Sequence, residues 1–138
     1  HYKIADKVRY INNELYTDQP DGLSGNEDCG QMSAWYILSS IGFYPVNPSN
    51  GAYVFGSPLF DEVVLDIPGQ KQFKISAKNN SDKNIYIQSV LLNGEDHKYS
   101  YITHKEILKG GELEFTMGPK PNKDFGKEKK YRPESIVY

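Results

Sequence analysis

Apolar residues at Ile4, Val8, Ile11 and Leu15 fall four, three and four apart, with Lys3, Asp6, Lys7, Arg9, Asn12, Asn13 and Glu14 between them. That rhythm predicts an amphipathic helix over roughly residues 4–16. A second helical pattern runs through Met32, Trp35, Tyr36, Leu38 and Ile41, with Ile37 widening the stripe towards burial on all sides, and predicts a helix over about 29–41. Both of its ends carry signals. Asp28 with Gln31 three residues later has the form of a capping box, in which the carboxylate accepts orphan amide protons and the amide side chain reaches back. Gly42 suits the left-handed position past the last turn, Phe43 can fold back onto Leu38, and Pro45 forbids continuation.

After Pro45 the period shortens. Tyr53-Val54-Phe55 reads as a strand, then Glu62 to Ile67, closed by Pro68-Gly69. Phe73, Ile75 and Ala77 alternate with Lys74 and Ser76, one face buried and one wet. Asn84 to Leu92 is the next strand region, and Asn93-Gly94 signals a hairpin leading into Lys98 to Ile102. Thr103 with Glu106 is a second capping box, for a turn over His104 to Leu108 that Gly110-Gly111 ends. Leu113, Phe115 and Met117 alternate as a last clear strand, and from Pro119 the chain reads as loop or frayed tail, with Ile136-Val137-Tyr138 a short edge strand at its end. The pattern predicts an α+β fold: a helical pair over 1–45, then an antiparallel, β-sandwich-like assembly over 46–138 with a loop-like tail after about 119.

Chemistry concentrates ahead of the second helix, where Asn26, Glu27 and Asp28 supply several oxygens in one turn after a polar, tightly turned loop from Asp18 to Gly25. Asp28 has a plain structural role open to it, as the helix cap. It also has a chemical one, because a carboxylate at the positive end of a helix stays ionised and can act as a base. A net charge of −2 gives no support for a nucleic-acid partner, and the late Lys/Arg run is interrupted by Asp124, Glu128 and Glu134 as in a solvated tail. The single Cys29 forms no internal disulfide and reads as a small buried residue. His97 and His104 lack metal-ligand spacing and read as surface or capping residues. Asn79-Asn80-Ser81 reads as a turn, and nothing is long and apolar enough to span a membrane.

The stretch Gly25-Asn26-Glu27-Asp28-Cys29-Gly30-Gln31-Met32-Ser33-Ala34-Trp35-Tyr36, followed by Gly42-Phe43-Tyr44-Pro45-Val46, resembles the signature of glycoside hydrolase family 92, calcium-dependent exo-acting α-mannosidases common in bacteria. Tyr53 to Phe60, Asn79-Asn80-Ser81, Tyr86 to Val90, Ser100 to His104, Leu108 to Gly111 and Phe115 to Asn122 continue the resemblance in order and spacing. It implies that the chain, which does not open on Met, is a C-terminal fragment of a longer enzyme. The helical pair would then be the end of an (α/α)6 barrel. It also implies removal of terminal α-linked mannose, most often α-1,2, with inversion. Asp28 would be the general base, Asn26 would orient water or a sugar hydroxyl, and Glu27 and Gln31 would support the site or touch substrate. Many members have Asp where this chain has Asn26, which concentrates the base role on Asp28. Calcium is implied as cofactor, with the general acid and most metal ligands upstream; no complete metal site is identifiable in this chain, and Glu27 and Asp28 are its candidates for direct or water-mediated contact. Mannose-containing glycans and the rest of the parent enzyme are the implied partners, and a periplasmic, secreted or cell-surface bacterial location the implied setting.

Two consequences and one rival follow. The fragment alone would be inactive, having the base without the acid, and its bared helix stripes would drive self-association or leave the N-terminal third mobile. The rival rests on the eleven tyrosines: Tyr53, Phe55, Tyr86, Tyr99 and Tyr101 could form a sugar-stacking platform, making the strand region a non-catalytic carbohydrate-binding module. A purely structural buttress is the third reading.

Overall fold

The computed structural model describes residues 1–134, so the expected edge strand at Ile136-Val137-Tyr138 lies outside the described residues. The first helix, α1, spans Tyr2–Glu14 and the second, α2, Gln31–Ile41. Gly42 takes the left-handed position after α2, its amide bonding the carbonyls of Leu38 and Ser39. Beyond it lie β1 (Phe43–Asn47), β2 (Ala52–Phe55), β3 (Glu62–Ile67), β4 (Lys71–Lys78), β5 (Tyr86–Leu92), β6 (Glu95–Asp96), β7 (Tyr101–Thr103), the short helix α3 (His104–Ile107) and β8 (Gly111–Gly118). The fold is α+β, two helices followed by two sheets.

One sheet has the order β1-β2-β7 and the other β3-β4-β8-β5-β6. Their inner faces meet in one core: Phe43, Phe55 and Ile102 from the first, Phe73, Ile75, Ile87, Leu113, Phe115 and Met117 from the second. Phe55 and Phe115 meet edge to face at 5.1 Å across that core. The expectation of a wholly antiparallel assembly needs correction, because β4 and β8 pair in parallel from Phe73↔Gly111 to Lys78↔Thr116. A parallel pair needs a long connection, and the chain between Asn79 and Gly110 supplies it by building β5, β6, β7 and α3 on the way.

The hairpin at Asn93-Gly94 forms, both residues taking positive φ as its turn requires. Its second arm is not the expected Lys98 to Ile102: Glu95–Asp96 pair with β5, and the His97 amide adds one bond to the Val90 carbonyl at 2.9 Å. At His97 the chain leaves this sheet for the other. His97 is buried rather than a surface residue; its ring packs at 5.8 Å from Phe55 and its Nε2 lies 2.8 Å from the Tyr101 carbonyl. Of the two readings of the tail, loop or frayed, the described residues after Pro119 show an anchored loop. Asn122 Nδ2 donates to the Gln88 carbonyl at 2.8 Å, Phe125 packs on the core, and the Tyr131 carbonyl accepts from the Ser100 amide at 2.8 Å. Gln88 is free for this because the β5–β8 register slips between Ile87 and Ser89.

Arg9, 6% exposed, ties α1 to the sheets. Its Nε donates to Ser57 Oγ at 3.0 Å, and its Nη2 to the Pro58 carbonyl and to Asn80 Oδ1. Burial lowers its pKa while the charge of Asp82 opposes that shift. Asn80 in turn donates to the Leu59 carbonyl at 3.0 Å, so the Asn79-Asn80-Ser81 turn is a structural joint. The other side of the helical pair stays open: Ile4, Tyr10 and Leu15 on and just past α1 are exposed, and so is Ile37 on α2, at 57%. The all-round burial expected for α2 is therefore absent among the described residues.

Candidate active site

Thr17 to Gly30 joins the helices, pinched at its base by an isolated bridge between Tyr16 and Leu23 and by the Thr17 amide donating to the Gly22 carbonyl at 3.0 Å. A Cβ on Gly22 would lie 2.1 Å from the Thr17 carbonyl oxygen, so this pinch accepts only glycine. Tyr16 sits beneath the loop. Its ring stacks on Trp35 at 5.7 Å and lies tilted against Tyr36 at 4.9 Å, and its hydroxyl donates to the Met32 carbonyl at 3.2 Å. Burial, then the negative charge of Glu27, then Tyr44, hold the Tyr16 phenol above its ordinary pKa. An open cleft of about 460 Å³ runs alongside, lined by Tyr16, Asp18, Leu23, Ser33, Tyr36 and Ile37. Tyr16 was not singled out by the sequence, since its role depends on a contact 16 residues away.

The start of α2 differs from the expected capping box. Asp28–Gly30 forms a separate 3-10 turn, with Cys29 at φ 55 and Gly30 at φ 78, both left-handed. Gly30, not Asp28, is the cap residue of α2, and no side chain caps there through a hydrogen bond from that position. The left-handed pair swings Asp28 away from the first amides of the helix. Gln31, expected to reach back to the chain at position 28, instead contributes its backbone amide to the Asp28 carbonyl oxygen. Cys29 is exposed, not buried, because it rides the outside of this bend.

Glu27 reaches over the turn. Its carboxylate accepts from the Ser33 amide with both oxygens, at 3.2 and 3.1 Å, and its Oε1 would lie 3.7 Å from a Cβ on Gly30. Asn26 and Asp28 are exposed beside it, and among the described residues their side chains make no hydrogen bond. The turn thus presents one engaged carboxylate flanked by a free amide and a free carboxylate.

These residues do not make a calcium site by themselves. Calcium takes six to eight oxygens. Among the described residues no three His, Cys, Asp or Glu side chains gather as a metal cluster, and both Glu27 oxygens already face an amide.

The aromatic platform does not assemble either. Tyr53 lies opposite Ile102 and Tyr101 opposite Val54, so Tyr53 and Tyr101 point to opposite faces of one sheet. Phe55 is in the core, and Tyr86 is on the other sheet with its hydroxyl donating to Asp6 at 2.6 Å. Tyr99 packs edge-on against Tyr101 and Tyr131.

A family model, the glycosyl hydrolase family 92 catalytic domain, matches residues 1–119. This chain belongs to glycosyl hydrolase family 92. An inverting family 92 mannosidase from Bacteroides thetaiotaomicron superposes with a TM-score of 0.90 at 41% identity, over 97% of this chain and 18% of that one. A family 92 α-mannosidase from the same organism gives 0.91 at 39% identity, over 99% and 18%, and it has also been solved with mannoimidazole. An uncharacterized secreted glycosidase from Arthroderma benhamiae is 32% identical over 106 residues, 75% of this chain and 14% of that protein. The family 92 chain thus spans less than a fifth of the length of the mannosidases it matches. Among its described residues no helix is long and apolar enough to cross a membrane.

Proposed function

We propose that this chain supplies the general base of an exported family 92 enzyme that removes terminal α-linked mannose from glycans with inversion, α-1,2 being the preferred linkage. Asp28 is the base. The observation that carries the assignment is the turn at 28–30, which leaves the Asp28 carboxylate exposed and without a protein hydrogen bond among the described residues, so its lone pairs are available to water. In an inverting glycosidase a carboxylate takes a proton from water as that water attacks C1, while a carboxylic acid about 6.5–9.5 Å away protonates the departing oxygen. Asn26 cannot take a proton, but its amide can hold the same water or a sugar hydroxyl. The acid and the ligands of the expected calcium belong, on this reading, to the remainder of the protein.

The full-length protein incubated with α-1,2-mannobiose should then release mannose first seen by NMR as the β-anomer. This 138-residue chain alone should release none. Early α-mannose would refute inversion, and metal-stimulated release by the isolated chain would refute the division of acid and base. On gel filtration the isolated chain should elute as an oligomer, because Ile4, Leu15 and Ile37 are bared on one helical pair. A monodisperse monomer would contradict that.

A further inference from the structure

We infer that Glu27 is a positioning residue for the reaction: by satisfying the amide at the start of α2, it releases Asp28 from the capping role and fixes the turn that aims it. The inference rests on the assignment of Asp28 as base. A helix N-terminus leaves its first amides without partners inside the helix, and an acidic residue nearby normally answers them. The sequence offers two acids for that position, Glu27 and Asp28. If Asp28 answered, its carboxylate would be committed to backbone and partly withdrawn from water. The structure divides the tasks otherwise. The longer side chain of Glu27 spans the left-handed turn at Cys29 and Gly30 to reach the Ser33 amide with both oxygens.

That contact closes a loop from residue 27 to residue 33, with Asp28 immediately inside it. Two further contacts hold the loop besides the bonds of α2 itself: the Gln31 amide on the Asp28 carbonyl oxygen and the Tyr16 hydroxyl on the Met32 carbonyl. The negative charge of Glu27, after burial, helps hold the Tyr16 phenol above its ordinary pKa. Without the Glu27 contact the Ser33 amide needs another acceptor, and Asp28 is the acid next to Glu27 in the chain. The base would then be lost by rotation and not by removal.

The test compares three substitutions in the full-length protein, with kcat and KM measured separately and folding checked by thermal melting. Glu27→Gln keeps an acceptor at the same reach and should stay within about fivefold of wild-type kcat. Glu27→Asp keeps the charge but is one carbon too short, and should lose on the order of 10²-fold in kcat, the scale of a misplaced reacting group, with KM changed by less than about threefold. Glu27→Ala should match Glu27→Asp. A Glu27→Asp variant with wild-type kcat would overturn the inference, as would a Glu27→Gln variant as impaired as Glu27→Asp. If Glu27→Ala fails to fold, the Gln and Asp comparison still decides. Should Asp28→Ala itself retain full activity, the base assignment is what fails.

Discussion

Asp28→Ala in the full-length protein is expected to lower kcat by about 10²–10⁴-fold, the usual worth of a positioned acid or base, with KM little changed. Stability should barely respond. Asp28 is exposed and its side chain makes no hydrogen bond among the described residues, so its removal should shift unfolding by less than about 0.5 kcal/mol. This separation distinguishes the two roles open to the residue. A capping aspartate replaced by alanine would cost about 1 kcal/mol and leave catalysis to fall only through lost structure. Steady-state kinetics together with urea unfolding of the same variant reads both quantities. A destabilised variant with near-normal kcat would return Asp28 to the cap.

Phe115→Ala should produce the largest stability loss, about 3–5 kcal/mol, as for a large aromatic deleted from a close-packed core. Phe115 lies on β8, the strand flanked by β4 on one side and β5 on the other, and it is fully buried. Its ring meets Phe55 of the opposite sheet, and a Cβ on Gly42 would lie 3.4 Å from it. One side chain therefore joins both sheets to the end of α2. Phe60→Ala makes the matched control: Phe60 is exposed and its loss should cost under about 0.5 kcal/mol. Urea unfolding of this chain measures both. A loss below about 1.5 kcal/mol at Phe115 would mean that the two sheets are held together by something other than this core.

Two stretches with the same spacing explain what was legible in the sequence. Thr103 and Glu106 form the expected capping box, with the Thr103 amide donating to Glu106 at 2.8 Å and the Glu106 amide to Thr103 Oγ1 at 3.3 Å. Asp28 and Gln31 do not. The difference is Gly30 between them, which takes the left-handed conformation open to glycine and moves the helix start two residues on. Strand existence followed from alternation, and Glu62–Ile67 is observed at its expected ends. Strand direction did not, because alternation is the same whether β8 runs with or against β4. His97, between Asp96 and Lys98, looks solvated in sequence and is buried only because the chain changes sheets there. The contact from Glu27 to Ser33 follows no standard local spacing, so only the folded turn reveals it.

The most direct measurement supplies Asp28→Ala with azide. If Asp28 activates water at C1, the smaller side chain leaves room for an anion that needs no base, and the variant should turn an activated aryl α-mannoside into β-mannosyl azide with partial recovery of rate. No azide product and no recovery from a correctly folded variant, or hydrolysis at the wild-type rate without azide, would contradict the assignment.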